Sequence, residues 1–83
     1  MKVVFKLFAT LTDLLPAERS GNAVELEVPP GTTVQELIDR YRVPAKLAHL
    51  VLVNGAFVPP DGRSTRQLAE KDELAVWPPI AGG

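Results

Sequence analysis

The 83-residue chain contains no cysteine and a single histidine, His49. The lack of thiols excludes a disulfide framework, a thiolate metal site, a cysteine nucleophile and the transport of sulfur as a cysteine persulfide. One histidine cannot supply a histidine cluster for a metal, and no Ser-His-Asp arrangement can be argued from it. We therefore expect no metal site and no bound cofactor, and we expect His49 to have a structural or surface role.

An excess of charge of either sign is also missing, since nine Lys and Arg residues balance ten Asp and Glu residues. Balanced charge provides no bulk field that attracts nucleic acid or an anionic membrane. No apolar run reaches the ~20 residues of a membrane-spanning helix. The N-terminus lacks the basic-then-apolar pattern of a secretory signal. We expect a cytoplasmic protein that binds neither nucleic acid nor membrane.

Aromatic residues are scarce, at 6% of the chain, although hydrophobic residues of all kinds make up 46%. This content favours a folded chain with a largely aliphatic core. No internal repeat, low-complexity stretch or linker divides the sequence. We expect one domain over residues 1–83, with an extended C-terminal tail over residues 78–83.

Alternating apolar and polar residues predict five strands, at residues 2–8, 23–28, 50–53, 56–58 and 73–77. Asn54 and Gly55 predict a hairpin turn, because both residue types tolerate positive φ. Short helical turns are expected at residues 11–15 and 64–68. Residues 59–66 are expected to form an exposed loop.

The main helix is predicted to begin after Thr33, where Thr33 and Glu36 have the spacing of a capping box. Its apolar residues recur at helical spacing, at Val34, Leu37, Ile38 and Tyr41. A single helix packed across a mixed sheet is an α+β arrangement. The order of elements resembles the β-grasp, or ubiquitin-like, fold, with a mixed sheet of about five strands.

The face of the sheet opposite the helix is predicted to carry exposed aromatic residues. If Leu74 and Val76 enter the core, the period of two directs Trp77 to the outer face. The same count directs Phe8 outward, and Phe57 extends the patch beyond the hairpin turn. Contiguous exposed aromatic side chains in a small domain are typical of a partner-binding surface.

The tail ends in Ala81, Gly82 and Gly83, which follow Ile80 and a pair of prolines. A glycine carboxylate can enter a narrow channel because glycine has no Cβ. A carboxylate needs activation, for example as an acyl-adenylate, before it donates an acyl group. The chain contains neither a GxxxxGK[ST] nor a GxGxxG phosphate-binding motif. The ATP chemistry is therefore expected to come from a partner enzyme, with Ile80 as an apolar anchor.

Over its whole length the chain resembles the MoaD/ThiS family of sulfur carriers, most of all the small subunits of molybdopterin synthase. The matching segments are VFKLFA, PGTTV, VNG and KDELAVWPPIAGG. The last segment is the most specific, because a strand, a proline pair, an aliphatic residue and two glycines occur together at the C-terminal end.

The resemblance implies a sulfur-transfer cycle in which the chain is a substrate and carrier and not an enzyme on its own. An E1-like, MoeB-like enzyme adenylates Gly83 with ATP, and a sulfurtransferase system converts it to a thiocarboxylate. The MoaE-like large subunit then receives the tail, where Gly82 gives clearance, and the sulfur builds molybdopterin. Phe8, Phe57 and Trp77 match the family's docking surface.

Three alternatives stay open at this stage. The first is a sulfur carrier for another product, such as thiamine, a sulfur-containing amino acid or a tungsten cofactor. The second is a ubiquitin-like modifier that joins Gly83 to lysines of other proteins. The third is a β-grasp binding module whose terminal glycines are inert.

Overall fold

The structure, a computed structural model, describes residues 1–79. Its main helix is α1 (Val34–Arg40), and 3₁₀ helices are formed by Ala9–Leu14 and Pro60–Gly62. In chain order, the strands are β1 (Lys2–Leu7), β2 (Ala23–Glu27), β3 (Leu50–Val53), β4 (Ala56–Phe57) and β5 (Glu73–Trp77). All five predicted strands are therefore present, with β1, β2 and β4 each one residue shorter than expected.

The strands form one mixed sheet in the order β2-β1-β5-β3-β4. The last strand, β5, lies at the centre, parallel to β1 and antiparallel to β3. β1 and β2 form an antiparallel hairpin. At the β3–β4 turn, Asn54 and Gly55 have φ of 50° and 84°, a backbone conformation that these two residue types tolerate.

The core lies on one face of this sheet, which α1 covers. Eight residues from β1, β5 and α1 are at most 1% exposed, and the largest of them are Phe5, Leu7, Leu37, Ile38 and Leu74. Tyr41, just after α1, packs its ring 5.3 Å from that of Phe5. The arrangement confirms the predicted α+β, β-grasp architecture and the predicted apolar face of the helix.

The first amide groups of α1, which have no partner within a helix, are all satisfied. The Thr33 hydroxyl accepts a hydrogen bond from Glu36 N at 3.1 Å, and the Glu36 carboxylate accepts one from Thr33 N at 2.9 Å. The predicted capping box is therefore confirmed. The amides of Val34 and Gln35 donate to the carbonyls of Arg66 and Arg63, each at 2.9 Å.

The loop between β4 and β5 differs from the prediction in two ways. Residues 64–68 do not form a helical turn, because residue 67 pairs with Thr33 in a β-bridge. The helical turn is instead Pro60–Gly62, where the fixed φ of proline suits the start of a helix. The expectation of an exposed loop over residues 59–66 is wrong at Arg63, which is only 6% exposed.

Candidate functional site

An aromatic stack lies on the sheet face opposite α1. The rings of Phe8 and Trp77 are parallel within 2°, and their centroids are 4.2 Å apart. β1 and β5 bring the two residues together, because they run parallel with Leu7 opposite Val76. The Phe8 amide then donates to the Val76 carbonyl at 3.2 Å. Both rings are half-buried. The predicted outward position of Phe8 and Trp77 is confirmed.

Two leucines of β3 enlarge this patch and were missed by the sequence reasoning. Leu50 lies opposite Trp77, and Leu52 lies opposite Phe57, so all four side chains share the outer face. The signal was available in the four-residue run Leu50–Val53, which is apolar throughout. A strand of that kind presents apolar side chains to both faces of its sheet.

We call the set Phe8, Leu50, Leu52, Phe57 and Trp77 the apolar outer surface. Phe57 is its most exposed member, at 56%, and Leu50 is 37% exposed. Phe57 joins the surface through its pairing with Leu52 at the edge of the sheet. Large apolar side chains grouped on one face of so small a domain are typical of a protein-binding site.

The outer face of the described sheet also carries two ion pairs. Lys6 Nζ lies 2.7 Å from Glu73 Oε1, and Lys2 Nζ lies 3.8 Å from Glu25 Oε1. These exposed pairs contribute little stability. The paired charges thus lie on β1, on β2 and at the start of β5, whereas the apolar outer surface lies at the ends of β1 and β5 and on β3 and β4.

The end of β5 is fixed in position where the predicted tail begins. The amide of His49 donates to the Trp77 carbonyl at 3.1 Å. Pro78 is half-buried and Pro79 is exposed. The predicted tail residues Ile80, Ala81, Gly82 and Gly83 lie outside the described residues. The described chain thus leads from the apolar outer surface directly to the tail.

Within residues 1–79, two ionisable groups have shifted pKa values, and neither belongs to the apolar outer surface. The N-terminal ammonium of Met1 lies 2.7 Å from Glu27 Oε2 and lowers the pKa of that carboxyl through hydrogen bonding and charge. Burial lowers the pKa of the Arg63 guanidinium.

Within residues 1–79, no three His, Cys, Asp or Glu side chains are grouped so that they could hold a metal ion. The same residues contain no helix that is long and apolar enough to span a membrane. The described site therefore consists of an apolar surface centred on the stack of Phe8 and Trp77.

Solved structures with the same fold cover nearly all of the chain. SAMP1 from Haloferax volcanii shares 26% identity over 100% of both chains, with a TM-score of 0.69. A Pyrococcus furiosus structure, described as "Putative molybdopterin converting factor, subunit 1", shares 27% identity over 95% of this chain and 98% of that chain, with a TM-score of 0.66. No match was found among curated proteins.

A model of the ThiS family matches residues 5–83, which include all of the described sheet except the start of β1. The match spans more than half of the chain and agrees with the β-grasp topology and with the two solved structures. The chain therefore belongs to the ThiS family of small, ubiquitin-like carrier proteins.

Proposed function

We propose that this chain is the sulfur carrier of molybdopterin synthase, acting in the cytoplasm as the small subunit of that enzyme. The observation that carries the proposal is the continuity between the apolar outer surface and the tail. Trp77 belongs to the surface and also ends β5, two prolines before the segment that carries the terminal glycines. A partner that docks on this surface therefore receives the tail at a fixed starting point.

The proposed chemistry takes place at Gly83 and is carried out by partners. An E1-like, MoeB-like enzyme joins the Gly83 carboxylate to the adenylyl group of ATP, with pyrophosphate as the leaving group. Sulfide-level sulfur from a sulfurtransferase system then attacks the acyl carbon of the adenylate and expels AMP, which leaves a thiocarboxylate. The absence of phosphate-binding motifs from the sequence is consistent with this division of labour.

The tail then enters the active site of a MoaE-like large subunit. Ile80 fits an apolar pocket, while Ala81 and Gly82 pass through a channel too narrow for larger side chains. Pro78 and Pro79 limit the conformations of the segment before it, which lowers the entropy lost when the tail is bound. This chain positions the sulfur donor, and the large subunit acts on the pterin precursor.

The docking step relies on the apolar outer surface. Aromatic side chains at the centre of an interface commonly supply most of its binding free energy. Phe8 and Trp77 are already stacked in the free domain, so little side-chain entropy is lost when a partner covers them. The neighbouring Leu50 and Phe57 extend the contact towards the sheet edge.

A second candidate is a protein modifier that joins Gly83 to lysine amines of other proteins. The likeness to SAMP1, named a small archaeal modifier protein, favours it. It shares the activation step with the sulfur carrier but differs in the acceptor, since a lysine amine replaces sulfur. Isopeptide-linked species of higher mass in the native host would support the modifier.

Intact-mass spectrometry of the protein purified from its native host tests the proposal. We expect the mass change of one oxygen replaced by sulfur, and fragmentation should locate it at Gly83. The protein should also be adenylated by its activating enzyme in an ATP-dependent reaction. An unmodified mass together with no adenylation would contradict the proposal and favour a binding module with inert glycines.

Deletion of Gly83 is the matching mutational test. We expect the deletion to abolish adenylation, because the reacting carboxylate is displaced by one residue. The urea midpoint should stay unchanged, since the described core ends at Val76. Glu18→Ala, which keeps Gly83 and changes an exposed residue outside the apolar outer surface and the tail, is the control. Normal adenylation of the shortened chain would refute the role of Gly83.

A further inference from the structure

Arg63 is a buried cation in the loop that follows Pro60–Gly62. It is 6% exposed, and its Nη1 donates to the carbonyl of Ala48 at 2.8 Å. Its Nη2 lies 3.5 Å from the carbonyl of His49. Its buried Nε has no hydrogen-bond partner among the described residues. Within residues 1–79, the ion pairs also include no carboxylate bound to Arg63.

Such an arrangement is costly for a small domain. Moving a guanidinium out of water carries a desolvation penalty, which an ion pair would partly offset. Burial lowers the pKa of Arg63, and this shift has the same physical origin. An apolar side chain of similar length would fill the space without this penalty. The hydrogen bonds of Arg63 therefore suggest a role beyond filling the core.

The segment that Arg63 binds is itself hydrogen-bonded to the end of β5. Arg63 holds the carbonyls of Ala48 and His49, and the amide of His49 in turn donates to the Trp77 carbonyl at 3.1 Å. The next residue, Leu50, lies opposite Trp77 in the sheet. Arg63 thus contacts the segment that sets the position of two members of the apolar outer surface.

The same residue is anchored on its other side by the main helix. The carbonyl of Arg63 accepts a hydrogen bond from Gln35 N at 2.9 Å, in the first turn of α1. The helix is fixed to the core by residues that are almost fully buried. Arg63 consequently joins a rigid element to the point where the tail leaves the sheet.

We propose that Arg63 is a positioning residue for docking, which fixes Trp77 and the start of the tail through the backbone of Ala48 and His49. The inference rests on the proposed function, because the surface it positions is the one that a partner covers. A planar guanidinium can hold two carbonyls at once, whereas a lysine ammonium lacks this fork geometry.

Arg63→Met and Arg63→Lys, with Arg66→Met as control, test the inference. Arg66 is exposed and lies in the same loop, so its replacement removes the same charge without a buried contact. The first measurement is amide hydrogen exchange of the isolated domain. We expect exchange at His49 to be about tenfold faster in Arg63→Met, as for the loss of one hydrogen bond. Core amides such as that of Val51 should change much less.

Trp77 provides a second readout, because it is the only tryptophan of the chain. A neutral quencher should reduce the fluorescence of Trp77 more strongly in both Arg63 variants, because its indole ring becomes more accessible. In Arg66→Met the quenching should equal that of the wild type. Arg63→Lys serves if Arg63→Met fails to fold, since lysine keeps the charge and one donor. Binding to a purified large subunit of molybdopterin synthase should weaken about tenfold in the Arg63 variants, in step with the faster exchange.

The outcomes separate the two proposals. Equal acceleration of exchange at His49 and at the core amides, or no change in Trp77 quenching, would show that Arg63 only stabilises the fold. Wild-type protein that does not bind the large subunit would contradict the proposed function. The exchange and fluorescence data would still decide whether Arg63 fixes Trp77, since both are measured without a partner.

Discussion

Replacement of Trp77 by alanine tests whether the apolar outer surface binds a partner or only stabilises the sheet. The parallel stack with Phe8 contributes about 0.5–1.5 kcal/mol beyond the burial of area. Because Trp77 is half-buried, we expect a total loss of about 1–2 kcal/mol in the free energy of unfolding. A tryptophan in the core would cost about 3–5 kcal/mol.

The expected loss in binding is larger. A central aromatic residue of an interface contributes about 2–4 kcal/mol, which corresponds to roughly 30- to 1,000-fold in Kd. Urea denaturation measures the loss in the free energy of unfolding, and calorimetric titration with the proposed large subunit measures the loss in binding free energy. The prediction is therefore that Trp77→Ala weakens binding by more free energy than it removes from folding.

A control of similar stability makes this comparison decisive. Ile38→Val, on the buried face of α1, should cost about 0.5–1.5 kcal/mol and leave the outer face of the sheet unchanged. It should bind the large subunit like the wild type. A loss of stability above about 3 kcal/mol for Trp77→Ala, together with an unchanged Kd, would place Trp77 functionally in the core and refute the docking surface.

Two further predictions concern the fold. Thr33→Ala removes the capping box and should lower the free energy of unfolding by about 1 kcal/mol. Thr65→Ala, which removes only an exposed hydrogen bond within a loop, should have little effect. Equal urea midpoints for the two variants would count against a stabilising cap. Glu27→Gln tests the pair with the N-terminal ammonium: because the pKa of Glu27 is lowered in the folded state, the pair stabilises the protein above about pH 4.5, and this stabilisation is lost as the pH falls through the lowered pKa. Urea midpoints measured at pH intervals of ~1 unit should show the wild type losing its advantage over Glu27→Gln as the pH falls below about 4.5, and a constant difference at every pH would exclude the pair as its source.

Local sequence signals predicted much of the fold because each has a short-range physical cause. The spacing of Thr33 and Glu36 identifies a helix start, since both side chains satisfy backbone amides within one turn. Asn54 and Gly55 identify a turn, since both accept positive φ. The alternation of side chains along a strand directs Phe8 and Trp77 to the outer face, and their stack on that face confirms it.

The features that the sequence did not reveal depend on contacts between distant segments. Arg63 is polar and lies among turn-forming residues, so its local pattern is that of an exposed loop. Its burial follows from contacts with the carbonyls of Ala48 and His49, which are fifteen and fourteen residues away. The local pattern of Leu50 and Leu52 predicts only that they lie in a strand. Their pairing with Trp77 and Phe57 follows from the order of the strands in the sheet.

The central place of β5 has a consequence for how the protein is made. The nascent chain emerges from the ribosome with β1 first, yet β1 and β3 are joined only by β5, whose residues are synthesised last among the five strands. Contacts between such distant segments close large loops and tend to slow folding. A chain cut before Glu73 lacks the strand between β1 and β3, so it cannot complete the sheet. Only a chain that already includes β5 can therefore complete the sheet and form the apolar outer surface next to the tail.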